Sequence, residues 1–316
     1  MFDKITIRAR VTGEDIAHLV DLHQLHVWTN ASNTQVEYRS GQLSKFSGIE
    51  IKITKSTITL KCSLHKYWNK SNFGKLRNDN LFTLSEARAS FEMLLYENGL
   101  LPGKVRVVQF ELGLNLDVSY DPIEFIELVN YIGITDKIMF VDANYRINRQ
   151  RTTLKHKDIR KYYKIYDKGW EMAEKRRTPS DESKPHANIL RIETVYRRHN
   201  ERSDKFFTED NLNRLVKRFW VDWKDLFFFR QIRAQKGRRN SEKQRAYKLV
   251  NSSPEAYLAE AKNDLKLKKI TEKEYRTIRE FIRDYNEEDG RFKTIVTKHE
   301  KEYNKLIIST YKQAKE

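Results

Sequence analysis

Apolar and polar residues alternate with period two over several short stretches of the chain, the pattern of half-buried strands. Residues 4–10 form the first. Over 48–65, Ile49, Ile51 and Ile53 alternate with Glu50 and Lys52, Lys55-Ser56 makes a turn, and Ile58, Leu60, Cys62 and Leu64 alternate with Thr59, Lys61, Ser63 and His65. This predicts a hairpin with His65 on the polar face at its end. Residues 104–118 form the clearest strand. Val108, Phe110, Leu112, Leu114 and Leu116 share one face, and Gln109, Glu111, Gly113, Asn115 and Asp117 the other. Further strands are predicted over 137–143, 162–168 and 189–197. In 162–168, Tyr162, Lys164, Tyr166 and Lys168 point one way and Tyr163, Ile165 and Asp167 the other. In 189–197, Leu190, Ile192 and Thr194 lie opposite Arg191, Glu193 and Arg197.

Helical signals separate these strands. Residues 14–26 predict a short helix carrying His18, His23 and His26; no acidic or Cys partner stands at ligand spacing, so these read as polar residues on a partly exposed surface. Thr83-Leu84-Ser85-Glu86 is a capping box opening a helix to about Asn98, ended by Gly99 and Pro102. Pro122 opens a helix over about 122–132. Residues 172–187, with Pro179 and Pro185, read as a polar loop. Thr208 opens a helical region to about Arg233, with the aromatics from Phe219 to Phe229 as core. From Gln235 the composition shifts. Gly237-Arg238-Arg239 reads as a linker, and beyond it the chain is charged and poor in Gly and Pro, with helices at about 254–268, 272–286 and 291–313. The expected fold is α+β: a curved, largely antiparallel sheet flanked by helices over 1–234, with a helical C-terminal region over 235–316.

Composition adds a partner class. Lys and Arg outnumber Asp and Glu by 61 to 44 in 316 residues, which favours a polyanion, nucleic acid first. The single cysteine, Cys62, rules out an internal disulfide and a Cys-rich metal site. No apolar run reaches the ~18 residues of a membrane span, and the N-terminal residues alternate like a strand instead of forming a signal peptide's apolar block. The expectation is a cytoplasmic protein with no membrane partner.

The charge is concentrated. Between Arg146 and Lys168 there are nine Lys/Arg against two Asp. Arg146, Arg149, Arg151, Lys155, Lys157, Arg160, Lys161 and Lys164 are interleaved with Tyr145, Tyr162, Tyr163 and Tyr166, a pattern suited to phosphate contact and base stacking. Three strands each carry unusual polar groups opposite an apolar face: Glu111 with Asp117, Tyr166 with Lys168, and Arg191 with Glu193. If they are neighbours in one sheet, these groups converge on its open face, joined by His65. Carboxylates suit Mg²⁺ or Mn²⁺, such an ion polarises a phosphodiester, and a tyrosine needs a base, a cation or a metal to attack at neutral pH. The bland reading is a half-open sheet whose polar face binds DNA or RNA without chemistry.

The order of these motifs resembles the filamentous-phage replication initiators, the gene-two class of rolling-circle nickases, and related initiators of small phages and plasmids. Phe2-Asp3-Lys4-Ile5-Thr6-Ile7 resembles the family's first strand, and Ser63-Leu64-His65-Lys66-Tyr67-Trp68-Asn69 the segment ending its second hairpin. Phe110-Glu111-Leu112-Gly113-Leu114-Asn115 resembles its acidic strand, and Tyr166-Asp167-Lys168 followed by Leu190-Arg191-Ile192-Glu193 its nucleophile strand and the next. The match covers roughly 1–230. It implies that Tyr166 is the nucleophile, assisted by Lys168, that Glu111 and Glu193 bind a divalent metal with His65 as a further ligand, and that the partners are single-stranded and origin DNA with a host helicase and polymerase. Arg191 joins the DNA-contacting set. Tyr162 and Tyr163 stand as alternative nucleophiles on the same strand. The His-hydrophobic-His pair of the better-known rolling-circle nucleases and relaxases is missing; His23-Gln24-Leu25-His26 has two residues between its histidines.

Overall fold

A computed structural model describes residues 1–30, 33–41, 48–132, 138–139, 148–152, 161–176, 187–252, 254–286 and 290–315. The fold is α+β, as expected. Its centre is an open antiparallel sheet built from β1 (Phe2–Arg10), β2 (His26–Asn30), β3 (Asn33–Arg39), β4 (Ile49–Thr54), β5 (Thr57–Ser63), β6 (Val105–Asp117), β9 (Asn148–Thr152), β10 (Lys161–Asp167) and β11 (Ile189–Tyr196). The spatial order is β2-β3-β4-β5-β1-β6-β11-β10-β9, and the short β12 (Glu201–Arg202) adds beside β6. Short strands β7 (Val129–Ile132), β8 (Ile138–Met139) and β13 (Leu226–Phe228) make a second small sheet. Strands β14 (Gln231–Ala234) and β15 (Phe292–Ile295) pair as a third.

One face of the central sheet carries the alternating apolar residues into the main core. Ile5, Ile7, Ile58, Leu60, Phe110, Leu112, Leu114, Ile165 and Ile192 are all buried there. Helices supply the other half: α2 (Leu64–Phe73), α3 (Leu84–Glu97), α7 (Glu209–Lys224) and the last, α11 (Lys298–Lys315), all contribute to the same apolar cluster. The capping box at Thr83 forms as read, its hydroxyl accepting from the Glu86 N–H and the Glu86 carboxylate from the Thr83 N–H. Trp223 of α7 donates to the Thr194 hydroxyl at 2.9 Å and meets Tyr163 edge-on, which fixes that helix on β10 and β11.

Two bulges break the alternation, and both matter for the site. Phe2 pairs with Leu112 and Ile5 with Phe110, so β1 spends three steps where β6 spends two. Phe2 and Ile5 therefore both enter the core, while Asp3 and Lys4 are both turned to the opposite face. Further on, Thr6 pairs with Gln109 and Ile7 with Val107, which leaves Val108 as the extra residue on β6. Val107 is buried in the core and Val108 faces the polar side, so the expected face of Val108 is corrected.

Other expectations shift at element ends. The first helix runs Gly13–His23 and stops where Gln24 adopts φ 47°, so His26 lies on a strand. Strands β2 and β3 escaped the period-two reading because Val27 and Trp28 are exposed and bury no apolar face. Ser63 ends β5 by capping α2, which puts His65 in a helical first turn and not at a strand's end. The side chain of Asp167 accepts from the Trp170 N–H at 2.9 Å and opens α5 (Lys168–Arg176), so Lys168 is helical and the 172–187 loop begins later than expected. The Pro122 helix stops at Leu128, where β7 begins, and α7 stops at Lys224. The strand expected over 137–143 is described only at Ile138–Met139.

The C-terminal region is helical, as expected, through α8 (Asn240–Val250), α9 (Pro254–Lys266) and α10 (Glu272–Asp284), around a small cluster of Ile232, Ala246 and Phe292. Two features cross the expected 234/235 boundary. Strand β15 occupies the start of the expected 291–313 helix and pairs with β14. Helix α11 returns to the main core, where Tyr303 is fully buried and donates its hydroxyl proton to the Trp223 carbonyl at 2.8 Å. Ile307, 1% exposed, sits in that core. We expect Ile307→Ala to lower the unfolding free energy by about 2–5 kcal/mol, measured by denaturant titration. A loss below about 0.5 kcal/mol would mean that α11 does not belong to the main core.

Candidate active site

The open-face residues of four adjacent strands meet around one buried guanidinium. On β6, Glu111 faces Val195 of β11, Gly113 faces Glu193 and Asn115 faces Arg191. On β10, Lys164 is opposite Glu193 and Tyr166 opposite Arg191. The bulge on β1 brings Asp3 to the same place. Asp3, Glu111 and Glu193 each offer one carboxylate oxygen within 4.8 Å of the others, and all three residues are buried. These three could hold a metal ion.

The cluster is held by charge and hydrogen bonds at every side. Arg191 is 2% exposed. Its Nη2 lies 2.9 Å from Asp3 Oδ2, its Nε 2.7 Å from Glu193 Oε1, and its Nη1 donates to Asn115 Oδ1 at 2.7 Å. Asp3 also accepts from the Ser63 hydroxyl at 2.7 Å and from the Asn78 amide at 3.2 Å. The Lys164 ammonium stands between two carboxylates, 2.6 Å from Glu193 Oε2 and 3.3 Å from Glu111 Oε2. Lys4 approaches Glu111 at 3.8 Å from the solvent side. Gly113 makes room: a Cβ there would lie 2.9 Å from Glu193 Cγ and 2.9 Å from the Ile192 carbonyl. The Tyr166 hydroxyl donates to Glu193 Oε1 at 3.0 Å.

Burial and neighbours push the acids apart. Burial pushes Asp3 and Glu193 up, but Arg191 together with Lys4 at Asp3, and with Lys164 at Glu193, outweighs it and holds both below the usual carboxylate range. Glu111 goes the other way: burial, then the Glu193 charge, raise it despite Lys164 and Lys4. Burial, then the Glu193 carboxylate, push the Tyr166 phenol well above its ordinary value. Burial keeps His65 neutral, down to about 3.

The expected residues fare differently. Glu111, Glu193 and Tyr166 are brought together. Lys168 is not positioned to lower the Tyr166 phenol: it is buried, its ammonium pairs with Glu171 at 2.5 Å, and it lies 6.0 Å from the Tyr166 ring centre. His65 is outside the carboxylate cluster; it stacks on Phe82 with ring centres 4.4 Å apart, and its Nε2 donates to the Asn80 side-chain carbonyl at 2.9 Å. It lines a cavity of about 140 Å³ with Arg191, Asn115 and, from α11, Thr310 and Gln313. Asp117 lines the same cavity and is not in the cluster. Tyr163 points into the core against Trp223, away from the carboxylates. Tyr162 shares the open face, but its hydroxyl accepts from Arg197 Nη2 at 3.3 Å.

The expected DNA-contacting set is also redrawn. Arg191 is consumed by the buried network and Lys164 by the carboxylates. Lys161 pairs with Asp222 and lies 4.8 Å from the centre of the Tyr163 ring. Arg149 and Arg151 are on β9, opposite Ile165 and Tyr163, with backbone positions alone described. Arg146, Lys155, Lys157 and Arg160 lie outside the described residues.

Asp3 was missed by the sequence reading. Its signal was present: two polar residues between Phe2 and Ile5 violate a period of two, and only a bulge lets both apolar residues reach one core. No protein-family model matches this chain, and a search of the curated proteins found none that matches it.

The Glu111 shift has a pH consequence. The folded state holds the Glu111 proton more tightly than the unfolded state, whose value is 4.5. Ionised Glu111 therefore costs stability as pH rises above 4.5 through its folded value. We expect Glu111→Gln to melt above the wild type at pH 7.5, with the gap closing as pH falls toward 4.5. A gap independent of pH would remove Glu111 as its source.

Proposed function

We propose that this protein is a metal-dependent DNA nicking and joining enzyme of the rolling-circle initiator kind, with Tyr166 as nucleophile. The observation that carries the reading is the Tyr166 hydroxyl donating to Glu193, a member of a buried three-carboxylate cluster. A tyrosine and a set of hard oxygen donors in one place are what phosphodiester transesterification asks for.

In the proposed reaction Glu193 takes the phenolic proton, and the Tyr166 oxygen attacks phosphorus. The P–O3′ bond breaks, a P–O bond to tyrosine forms, and the departing 3′ oxygen takes a proton from water to leave a free 3′-OH, while Glu193 returns the phenolic proton to the solvent. The product is a 5′-phosphotyrosyl link. It conserves the number of phosphoester bonds, so a 3′-OH can reverse the step and rejoin a strand. Asp3, Glu111 and Glu193 are the residues that would hold Mg²⁺ or Mn²⁺, which supplies neutralisation of the phosphate and of the departing oxygen. Arg191 orients Asp3 and Glu193 and does not touch DNA. Origin DNA, and a host helicase and polymerase that use the freed 3′ end, are the partners this reading requires.

The reading predicts a covalent adduct. With labelled origin DNA and Mn²⁺, the wild type should carry label to its own mass on a denaturing gel. Tyr166→Phe should reduce the adduct at least about 10³-fold, while DNA binding stays within about twofold, as loss of a nucleophile leaves substrate contacts in place. Undiminished adduct in Tyr166→Phe would remove Tyr166 from its role.

The metal assignment has its own readout. A divalent ion and the Lys164 ammonium compete for the same oxygens of Glu111 and Glu193. Lys164→Met should tighten Mn²⁺ binding in calorimetry, and Glu111→Ala with Glu193→Ala should abolish it. Wild-type affinity in both variants would place any metal elsewhere.

A second reading is favoured by the charge balance. Lys4, Lys164 and Arg191 offset the three carboxylates one for one, as in a structural network under a nucleic-acid-binding face. In that case Glu111→Ala with Glu193→Ala binds DNA as well as or better than the wild type, and no adduct forms with cognate DNA.

A further inference from the structure

Beside the carboxylate cluster lies a far larger and differently charged feature. A groove of about 1190 Å³ runs across the open face of β5, β1 and β6, and Glu111 lines it. Lys4, Arg8, Lys61, Arg106, Arg197 and Arg198 line it as well. None of these belongs to the basic 146–168 stretch. Its acids are Glu50, paired with Lys61 at 3.0 Å, and Glu111.

The arginines of the groove are arranged at a cost. Arg8 and Arg106 are directly opposite each other across the β1–β6 ladder, and Arg202 of β12 is directly opposite Arg106 on its other side. Three arginines thus lie side by side across three strands. Like charges placed this way destabilise a sheet. Arg202 is compensated by Asp204. The Arg8 side chain has no ion pair or hydrogen bond among the described residues, and the Arg106 side chain reaches only the Asn200 carbonyl oxygens at 3.4 Å. Both are exposed. Arg198, which also lines the groove, holds φ 56°, a left-handed conformation that non-glycine residues rarely adopt. The adjacent Arg197 lies over the Tyr162 ring at 4.6 Å, on the strand that carries Tyr166.

We propose that this groove is the track for single-stranded DNA, leading past Lys4 to Glu111 and the carboxylate cluster. Along β1 the same-face residues Lys4, Thr6 and Arg8 span about 13 Å at ~3.3 Å per residue, so cations recur along a line as a phosphate backbone requires. A concave basic channel that tracks one backbone, with an aromatic–guanidinium platform at its end, is the form single-strand sites take. The like-charge cost at Arg8 and Arg106 is relieved when phosphates lie between them. The choice of DNA over RNA rests on the nicking reading above; the track itself rests on the groove.

The test is fluorescence anisotropy with dT30 as the probe, across a salt series, on the full chain. We expect Arg8→Gln with Arg106→Gln to bind about tenfold more weakly. Its slope of log affinity against log salt should fall by about 1.4, at about 0.7 per phosphate contact on a single strand. Its melting temperature should equal or exceed the wild type's, since an unfavourable pair is gone. Tyr166→Phe should bind dT30 like the wild type. Ultraviolet cross-linking of 5-bromouracil-substituted DNA to the wild type should map to peptides from β1 and β6, a readout independent of any variant's folding. Unchanged affinity and slope in the double variant, or cross-links elsewhere only, would overturn the track. Tighter binding of rU30 than dT30 would overturn the choice of DNA, and tighter binding of a duplex the choice of a single strand. Binding that depends on Arg8 and Arg106, without adducts on any DNA, would sustain the track while the nicking reading fails.

Discussion

The buried guanidinium of Arg191 is the constraint on which the centre of this fold depends. A charge taken out of water is tolerated only where partners and hydrogen bonds surround it. Arg191 finds them on three strands and a loop: Asp3 on β1, Glu193 on its own strand, Asn115 on β6 and the Asn78 carbonyl. Three of these partners need a backbone feature to arrive. Asp3 needs the bulge between Phe2 and Ile5. Glu193 needs the missing side chain of Gly113. Asn78 needs the turn that follows α2, which Ser63 starts by capping with a hydroxyl that also donates to Asp3. Loss of any one leaves another group buried and unpaired, so these features hold one another in place.

The same two bulges divide the sheet into regions of different electrostatic character. Between them, the core face continues unbroken through Ile5 and Phe110. On the other face, one bulge delivers Asp3 and Lys4 and the other turns Val108 and Gln109 outward. At the inner end, anions and cations compensate pair by pair in a buried setting. At the outer end, Arg8 and Arg106 stand opposed in solvent without carboxylates. Glu111 belongs to both, ligated from within by Lys164 and lining the groove from without. A polyanion drawn to the outer end would thus be led to the one carboxylate of the three whose proton affinity is raised.

Within the cluster, environments split chemically similar groups. Glu193 and Asp3 sit against Arg191 and stay ionised. Glu111 has weaker cationic partners and a carboxylate neighbour, and holds its proton longer. Pairs pushed apart in this way are how one site supplies both an acid and a base. Tyr166 keeps its proton firmly beside the ionised Glu193, so in the proposed reaction its attack awaits the positive charge that a divalent ion would bring.

Much of this was legible in the sequence. Alternation identified the strands that carry Glu111, Tyr166 and Glu193, and placed those residues on a polar face, because a strand's period is fixed by its backbone. Capping chemistry at Thr83 located a helix start for the same local reason. Net charge pointed to a polyanion. What local pattern could not supply was neighbourhood. Lys164 and Arg191 read as DNA-facing cations until β6, β11 and β10 were laid side by side and enclosed them. Lys168 read as Tyr166's neighbour along a strand until Asp167 capped a helix and turned it to Glu171. The return of α11 to the core and the opposition of Arg8 to Arg106 join residues about 80 to 100 positions apart. Periodicity tells which way a side chain points; only strand order and register decide what it meets, because those are set by the packing of the whole sheet and not by any one segment.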